Sequence, residues 1–441
     1  MTSTREPLLC LLDGRPVANL LDAGQGMAAV QYLDPVVEEH RGVGLLSVRL
    51  PVRHDFYPAT DARAFLEGLV PEGWVRDQVA VRARLDRDDT FGLLAAFGRD
   101  CAGAVSVIRP DELPYRDDGV EWLDSEQLAA RLRELRSAPF GIGAVADVRI
   151  SLGGVQEKLV VVRRGDQFGL PLGSTPSTHL LKPVPLADDG TPRHPGLAEI
   201  EFFCMQLARA MVAFDDSRTT GLGFRVPDTE LIEIGTRPAI LVERYDRSAR
   251  DAVMHRIHQE DGCQVLGILP GAKYQRGPDG PPSFRLIAQA LDRWGADPIL
   301  DQRALLQAIA FTVLCGNGDL HAKNLSFLHH DGFRLAPIYD VVSTRLYDNV
   351  DLEMGMRVGS ATSISDVCPD DLLEEATSWG FGVVAGARAL HTCARAALET
   401  MSSARAAVHA RTDRHVQVDA LVGQITERAR ILLSTTTPGA I

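Results

Sequence analysis

Short apolar runs separated by turn residues dominate the first hundred positions. Leu8 to Asp13 predicts a short strand, Gly14 a turn, and Val17 to Leu21 a second strand. From Asp61 to Leu85 the period lengthens. Ala64, Phe65, Leu69, Val75, Val79 and Leu85 then form one rough apolar face, which predicts helix. Pro71 splits that stretch in two, because proline removes a backbone donor and clashes with the preceding turn. Ala102 to Ile108 predicts another strand. Residues 109–147 hold a charged segment and a helix near Ser125 to Arg136, with Ser125 as the N-cap.

The pattern then changes. Arg149 to Leu152 predicts a strand and Gly153-Gly154 a turn. Leu159 to Val162 is an apolar, β-branched strand, followed by an Arg164-Gly165-Asp166 turn. Thr178 to Lys182, Leu231 to Ile234 and Ala239 to Glu243 predict further strands, with a helix over Ala198 to Val212. Beyond Asp246 the helical period dominates. Ala304 to Leu314 predicts a buried helix, and Leu325 to Leu328 with Phe333 to Ala336 a hairpin turning at His329-His330-Asp331-Gly332. The last helix carries apolar residues at 418, 421, 422, 425, 429, 432 and 433, one stripe. Three units follow: a β-rich subdomain with helices at 1–147, a sheet lobe at 148–246 and a mainly helical lobe at 247–441. The class is α+β and two-lobed.

Composition narrows the chemistry. The chain has 441 residues, 45% of them apolar, enough for a sizeable core. Its net charge of −13 and pI near 5.4 argue against broad electrostatic binding to nucleic acid. Cysteines 10, 101, 204, 263, 315, 368 and 393 are scattered, odd in number and without a CxxC pair. That predicts reduced thiols in a cytoplasm, not a disulfide framework or zinc site. The first residues lack a basic start followed by an apolar stretch, so no signal peptide is expected, and no apolar run of about 18 residues predicts a membrane span.

The segment Cys315-Gly-Asn-Gly-Asp319-Leu-His-Ala-Lys-Asn324 concentrates the candidate chemistry. Asp319 and Asn324 are five positions apart, the spacing at which protein kinases place a base Asp and a magnesium-binding Asn. The predicted hairpin returns the chain to Tyr339-Asp340, where kinases place their main metal carboxylate. One Asn, one Asp and phosphate oxygens suffice for Mg²⁺, which keeps part of its water shell. Asp319 would orient an attacking hydroxyl and take its proton. An Asp and Asn at this spacing also occur on ordinary polar surface loops.

Lys182 ends a strand and can neutralise α/β-phosphates if a carboxylate holds it. Glu201 on the next helix is the candidate. The alternative is a solvated lysine at a strand end. In Ser151-Leu-Gly-Gly-Val-Gln-Glu-Lys158 two glycines allow backbone N–H groups to cradle phosphate, yet a plain hairpin turn has the same composition. Histidines 255, 258, 329 and 330 lack a fitting third ligand and read as surface residues.

Three stretches carry a resemblance: Ser151-Leu-Gly-Gly-Val-Gln-Glu-Lys, Gln259-Glu-Asp-Gly-Cys-Gln-Val-Leu-Gly and Asn317-Gly-Asp-Leu-His-Ala-Lys-Asn. Leu241-Val-Glu-Arg-Tyr-Asp-Arg247 and Arg334-Leu-Ala-Pro-Ile-Tyr-Asp340 support them. Over nearly its whole length the chain resembles the HipA family of serine/threonine kinases, the toxins of HipBA-type modules. The resemblance implies a protein-kinase-like fold with an added N-terminal subdomain and an all-helical C-terminal lobe, and it implies ATP and Mg²⁺.

Carried over, the phosphate loop is Gly153, Gly154, Val155, Gln156, Glu157 and Lys158. Lys182 is the phosphate lysine, and Glu243, Arg244 and Tyr245 form the adenine hinge. Asp319 is the base, with Asn324 and Asp340 the metal ligands. His321, Lys323 and Tyr339 border the nucleotide. Ser151 matches a serine whose autophosphorylation switches such kinases off. The resemblance further implies a HipB-like helix-turn-helix antitoxin as partner and an aminoacyl-tRNA synthetase, or another translation protein, as substrate. Arg357-Val-Gly-Ser-Ala-Thr-Ser-Ile-Ser365 has one basic residue where some members look more basic. This argues against direct DNA contact and leaves DNA to the antitoxin.

Two other readings share parts of the pattern. A small-molecule phosphotransferase has the same Asp-x₄-Asn loop and trailing Asp but not the Ser151 or Gln259-Glu-Asp segments. A non-catalytic antitoxin-binding co-repressor would not require the catalytic groups.

Overall fold

A computed structural model describes residues 5–113, 117–136, 138–140, 157–187, 189–214, 221–251, 253–348 and 350–435. Strands β1 (Leu8–Leu12), β2 (Arg15–Gly24) and β3 (Met27–Tyr32) form an antiparallel meander. Helices α1 (Asp34–His40), α2 (Ala59–Gly68), α3 (Gly73–Ala83) and α4 (Thr90–Phe97) follow, and β4 (Val105–Ile108) closes the sheet against β1 in the order β3-β2-β1-β4. The break between α2 and α3 spans Pro71, as the pattern predicts.

The second sheet has six antiparallel strands in the order β5-β7-β6-β8-β10-β9. These are β5 (Asp117–Leu123), β6 (Leu159–Arg164), β7 (Gln167–Gly173), β8 (His179–Pro183), β9 (Thr229–Ile234) and β10 (Arg237–Glu243). Helix α5 (Ser125–Glu134) follows β5. Its N-cap is Asp124, which accepts from the Gln127 N–H, so Ser125 is the first helical residue and not the cap. Helix α6 (Leu197–Ala213) follows β8 and lies against the C-terminal helices. One buried core joins the N-terminal sheet to the inner strands of the six-stranded sheet, and a second fills the C-terminal lobe.

Beyond Asp246 the chain is mainly helical, though not wholly so. Hairpin β11 (Arg247–Arg250) and β12 (Val253–Arg256) leads to β13 (Gln259–Asp261), α7 (Gly262–Leu266), α8 (Phe284–Trp294) and α9 (Pro298–Cys315). The predicted hairpin is β14 (Ser326–His329) and β15 (Phe333–Leu335), with β13 as a third strand beside it. A small pair, β16 (Glu353–Val358) and β17 (Ala361–Ser363), precedes α10 (Pro369–Ser378), α11 (Val383–His409) and α12 (Val416–Thr435). On α12 the predicted stripe faces inward: Val418, Leu421, Ile425, Ala429 and Leu432 are buried. Among the described residues only α9 is long and apolar enough to cross a membrane, and it is mostly buried in the C-terminal core.

Candidate active site

Helix α9 delivers the candidate catalytic segment. It ends at Gly316, whose φ of 70° favours glycine and releases the chain from the helix. The Asn317 side-chain carbonyl then accepts from the Asp319 N–H at 2.9 Å, a local turn that leaves the Asp319 carboxylate open to the cleft. The Asn324 side-chain N–H₂ donates to the Asp319 carbonyl at 3.0 Å, tying the two ends of the segment together. Strand β16 closes in from the far side. The Gly355 N–H donates to the Gly318 carbonyl at 2.8 Å, and a Cβ at Gly355 would lie within 3.0 Å of His321 backbone.

The β14–β15 hairpin returns the chain to Tyr339 and Asp340. The Tyr339 hydroxyl donates to the Lys323 carbonyl at 2.7 Å and lies 2.8 Å from Ser326 Oγ, so it braces the segment from behind. Asp340 has a φ of 59°, an uncommon backbone for a non-glycine residue. Its carboxylate reaches across to Lys182 at the end of β8. The Lys182 Nζ is 2.7 Å from Asp340 and 2.8 Å from Glu201, and both Lys182 and Glu201 are buried. Burial opposes the lysine's charge, but the two carboxylates outweigh it and push its pKa up. Lys182 is thus held between two carboxylates, and the solvated strand-end alternative is excluded.

These groups surround a cleft of about 430 Å³, within the range of small-molecule sites. Asp319, His321, Asn324, Asp340, Lys182 and Lys158 all line it. Desolvation by the cleft walls, followed by the charge of Asp340, pushes the Asp319 carboxyl up to about 6. Burial, then the neighbouring Lys182 charge, brings Lys158 down to about 8. His321 is buried, and burial lowers its pKa to about 4, so the ring is neutral. Its Nδ1 has no hydrogen-bond partner among the described residues. The cleft brings carboxylate and amide oxygens together with cationic side chains, a donor set that fits a phosphorylated ligand with a cation.

Glu243, Arg244, Tyr245, Lys323 and Tyr339 also line the cleft, and several of them are tied to other partners. Tyr245 stacks on Tyr339, centroids 5.8 Å apart, and its hydroxyl donates to Gln259. The Arg244 guanidinium turns away into a buried cluster with Asp246, Ser177 and the Cys101 carbonyl. Glu157 pairs with Arg136 and Arg237, at 3.1 and 2.9 Å, and does not line the cleft. Glu243 is exposed at the cleft rim. Lys323 lines the cleft but bonds Asp261, with Glu72 at 3.6 Å. Ser151, Gly153, Gly154, Val155 and Gln156 lie outside the described residues.

Sequence reasoning missed what the N-terminal subdomain brings. Glu72, just before α3, reaches the cleft and pairs with Lys273 at 3.3 Å. Asp100 is buried among Arg247, Arg244 and Arg256, at 2.7, 3.4 and 3.3 Å, and its hydroxyl partner is Ser177 at 2.6 Å. Glu260, fully buried, accepts from the Val48 N–H at 2.9 Å. Burial also corrects the histidine reading. His258 is buried and donates to the Leu46 carbonyl at 2.7 Å, and His329 lies 2.9 Å from Glu260, because the N-terminal subdomain covers this edge.

A kinase-type fold with this cleft defines the class of protein, and sequence comparison gives the family. A family model described as HipA-like C-terminal domain matches residues 150–411, and one described as HipA N-terminal domain matches residues 8–108. The chain belongs to the HipA family. It is 33% identical to "Putative kinase Y4mE" of Sinorhizobium fredii over 84% of this chain and 85% of the relative. It is 28% identical to "Serine/threonine-protein kinase toxin HipA" of Shewanella oneidensis over 67% of this chain and 66% of that one. A solved Shewanella oneidensis MR-1 structure of HipA, HipB and operator DNA has the same fold, with a TM-score of 0.81 and 24% identity over 97% of this chain and 98% of that one.

Proposed function

We propose that this chain is an ATP- and Mg²⁺-dependent protein serine/threonine kinase of the HipA toxin type, bound and restrained by a small helix-turn-helix antitoxin. One observation carries the reading most of the way: Lys182 held between Glu201 and Asp340, across a cleft from Asp319. That arrangement matches the lysine–glutamate pair and metal carboxylate expected of a phosphoryl-transfer site. In this reading Lys182 neutralises phosphate charge, Asn324 and Asp340 supply oxygen ligands to the cation, and the neutral His321 offers Nδ1 to the ligand. The bound metal nucleotide supplies an activated γ-phosphoryl group. Asp319 orients the acceptor hydroxyl and accepts its proton on a carboxylate oxygen.

The proposed acceptor is an aminoacyl-tRNA synthetase or another translation protein, as the resemblance to the family implies. Ser151 is the proposed self-inhibitory phosphosite. Antitoxin binding agrees with the HipA–HipB–DNA complex of the structural neighbour, and the acidic chain leaves DNA contact to that partner. The test is transfer of labelled γ-phosphate from ATP to purified synthetases. Label on one of them, suppressed by a HipB-like antitoxin, supports the assignment. Label on a sugar or an antibiotic instead would favour a small-molecule phosphotransferase.

A further inference from the structure

Tyr274 lies directly against the candidate base. Its hydroxyl donates to Asp319 Oδ1 at 3.2 Å, and its ring stands edge-on to His321 with centroids 5.1 Å apart. The backbone on either side is pinned. The Lys273 carbonyl accepts from the Ala322 N–H at 3.1 Å, and the Gln275 N–H donates to the Gly355 carbonyl at 2.8 Å. Lys273 is also tied to Glu72 of the N-terminal subdomain. The side chain, by contrast, is 45% exposed, so its ring can turn outward without unpacking a core.

A carboxylate acting as base in phosphoryl transfer has one task before chemistry: to accept a hydrogen bond from the acceptor hydroxyl. Tyr274 already makes that bond. Resting on the kinase reading above, we propose that Tyr274 is an acceptor mimic, whose hydroxyl occupies the position of the substrate hydroxyl on Asp319 until an entering serine or threonine displaces it. The residue then forms a side wall of the acceptor site. It acts through Asp319 and is a positioning residue, not a catalytic one. The mimic disfavours transfer to water, the smallest competing acceptor, when no protein substrate is present.

The experiment compares the full-length wild type with Tyr274→Phe, which keeps the ring and removes the hydroxyl at an exposed site. Affinity for a non-hydrolysable ATP analogue with Mg²⁺ is measured first, then ATP hydrolysis from pH 5 to 8 with water as the probe acceptor. The expected result is unchanged analogue affinity and hydrolysis raised about three- to tenfold, the range for losing one competing hydrogen bond. The acid limb of the profile should also move to higher pH, because Asp319 loses a donor that favours its ionised form. A structural role would produce neither change. Unchanged or slower hydrolysis with intact analogue affinity overturns the mimic alone. Phosphate found on Tyr274 of the wild type also overturns it, since the residue would then be an acceptor. Failure of wild type and variant alike to bind the analogue overturns the kinase reading beneath it.

Discussion

Lys182 and Asp340, 158 positions apart in the chain, meet at 2.7 Å, and Glu201 completes the contact from α6 at 2.8 Å. The pair joins the six-stranded sheet to the turn after the β14–β15 hairpin. It therefore couples the two lobes at the floor of the cleft.

Lys182→Met should destabilise the fold. It leaves Glu201, 1% exposed, without its counter-charge, and breaking a buried pair from one side costs about 3–5 kcal/mol. The loss should be largest at neutral pH and shrink in acid, because burial already raises the Glu201 pKa and protonation removes the stranded charge. Adding Glu201→Gln should recover most of the stability. Urea melts of the three proteins at pH 5 and pH 8 check this; a Lys182→Met protein as stable as wild type at pH 8 contradicts the buried pairing.

Asp319→Asn should make the protein more stable at pH 8. The folded carboxyl titrates near 6, above an ordinary aspartate, so the folded state holds the proton more tightly than the unfolded chain. Stability is thereby lost as pH rises from about 4 through 6, and the amide removes that loss. Wild-type and variant melting temperatures should converge below pH 4 and separate above pH 6. Separation of the opposite sign means that the carboxylate is stabilised, not strained, in the cleft.

Asp340→Asn should weaken magnesium-dependent nucleotide binding more than Asn324→Ala. One change removes a proposed charged ligand and the other a proposed neutral one, and only the first also releases Lys182. Calorimetry with and without Mg²⁺ reads the difference, and equal effects count against Asp340 as the main ligand.

Protein purified in active form should carry phosphate on Ser151, and the Asp319→Ala protein made alone should not. A phosphate adds about −1.5 to −2 charges next to the glycine turn proposed to cradle the nucleotide phosphates. Ser151→Asp should therefore bind ATP poorly and Ser151→Ala should bind it well. Mass spectrometry decides the first point; phosphate on the Asp319→Ala protein assigns the modification to another kinase.

The candidate catalytic segment was legible because its pattern is local. Asp319, Asn324 and the hairpin to Asp340 lie within 22 residues, and turn composition predicts how the chain returns. Lys182 and its partner Glu201 were legible because a lysine at a strand end needs a nearby carboxylate. Glu72 and Lys273 were not, since their meeting depends on how the N-terminal subdomain docks, and Tyr274 was not because it meets Asp319 from 45 positions away. Asp100 and Glu260 read as ordinary acids until three arginines and a backbone N–H are seen to bury them. β5 was missed for a different reason. It is an edge strand, so its acidic sequence reads as loop, and Gly169 and Pro171 mask its neighbour β7.

The central claim is that this cleft moves a phosphoryl group from ATP to a hydroxyl with Asp319 as base. Its most direct test is the rate of labelled γ-phosphate transfer by wild type and by folded Asp319→Ala protein, at equal nucleotide occupancy. The account predicts transfer by the wild type and a loss of about 10²–10⁴-fold in the variant. Equal rates in the two proteins would contradict it.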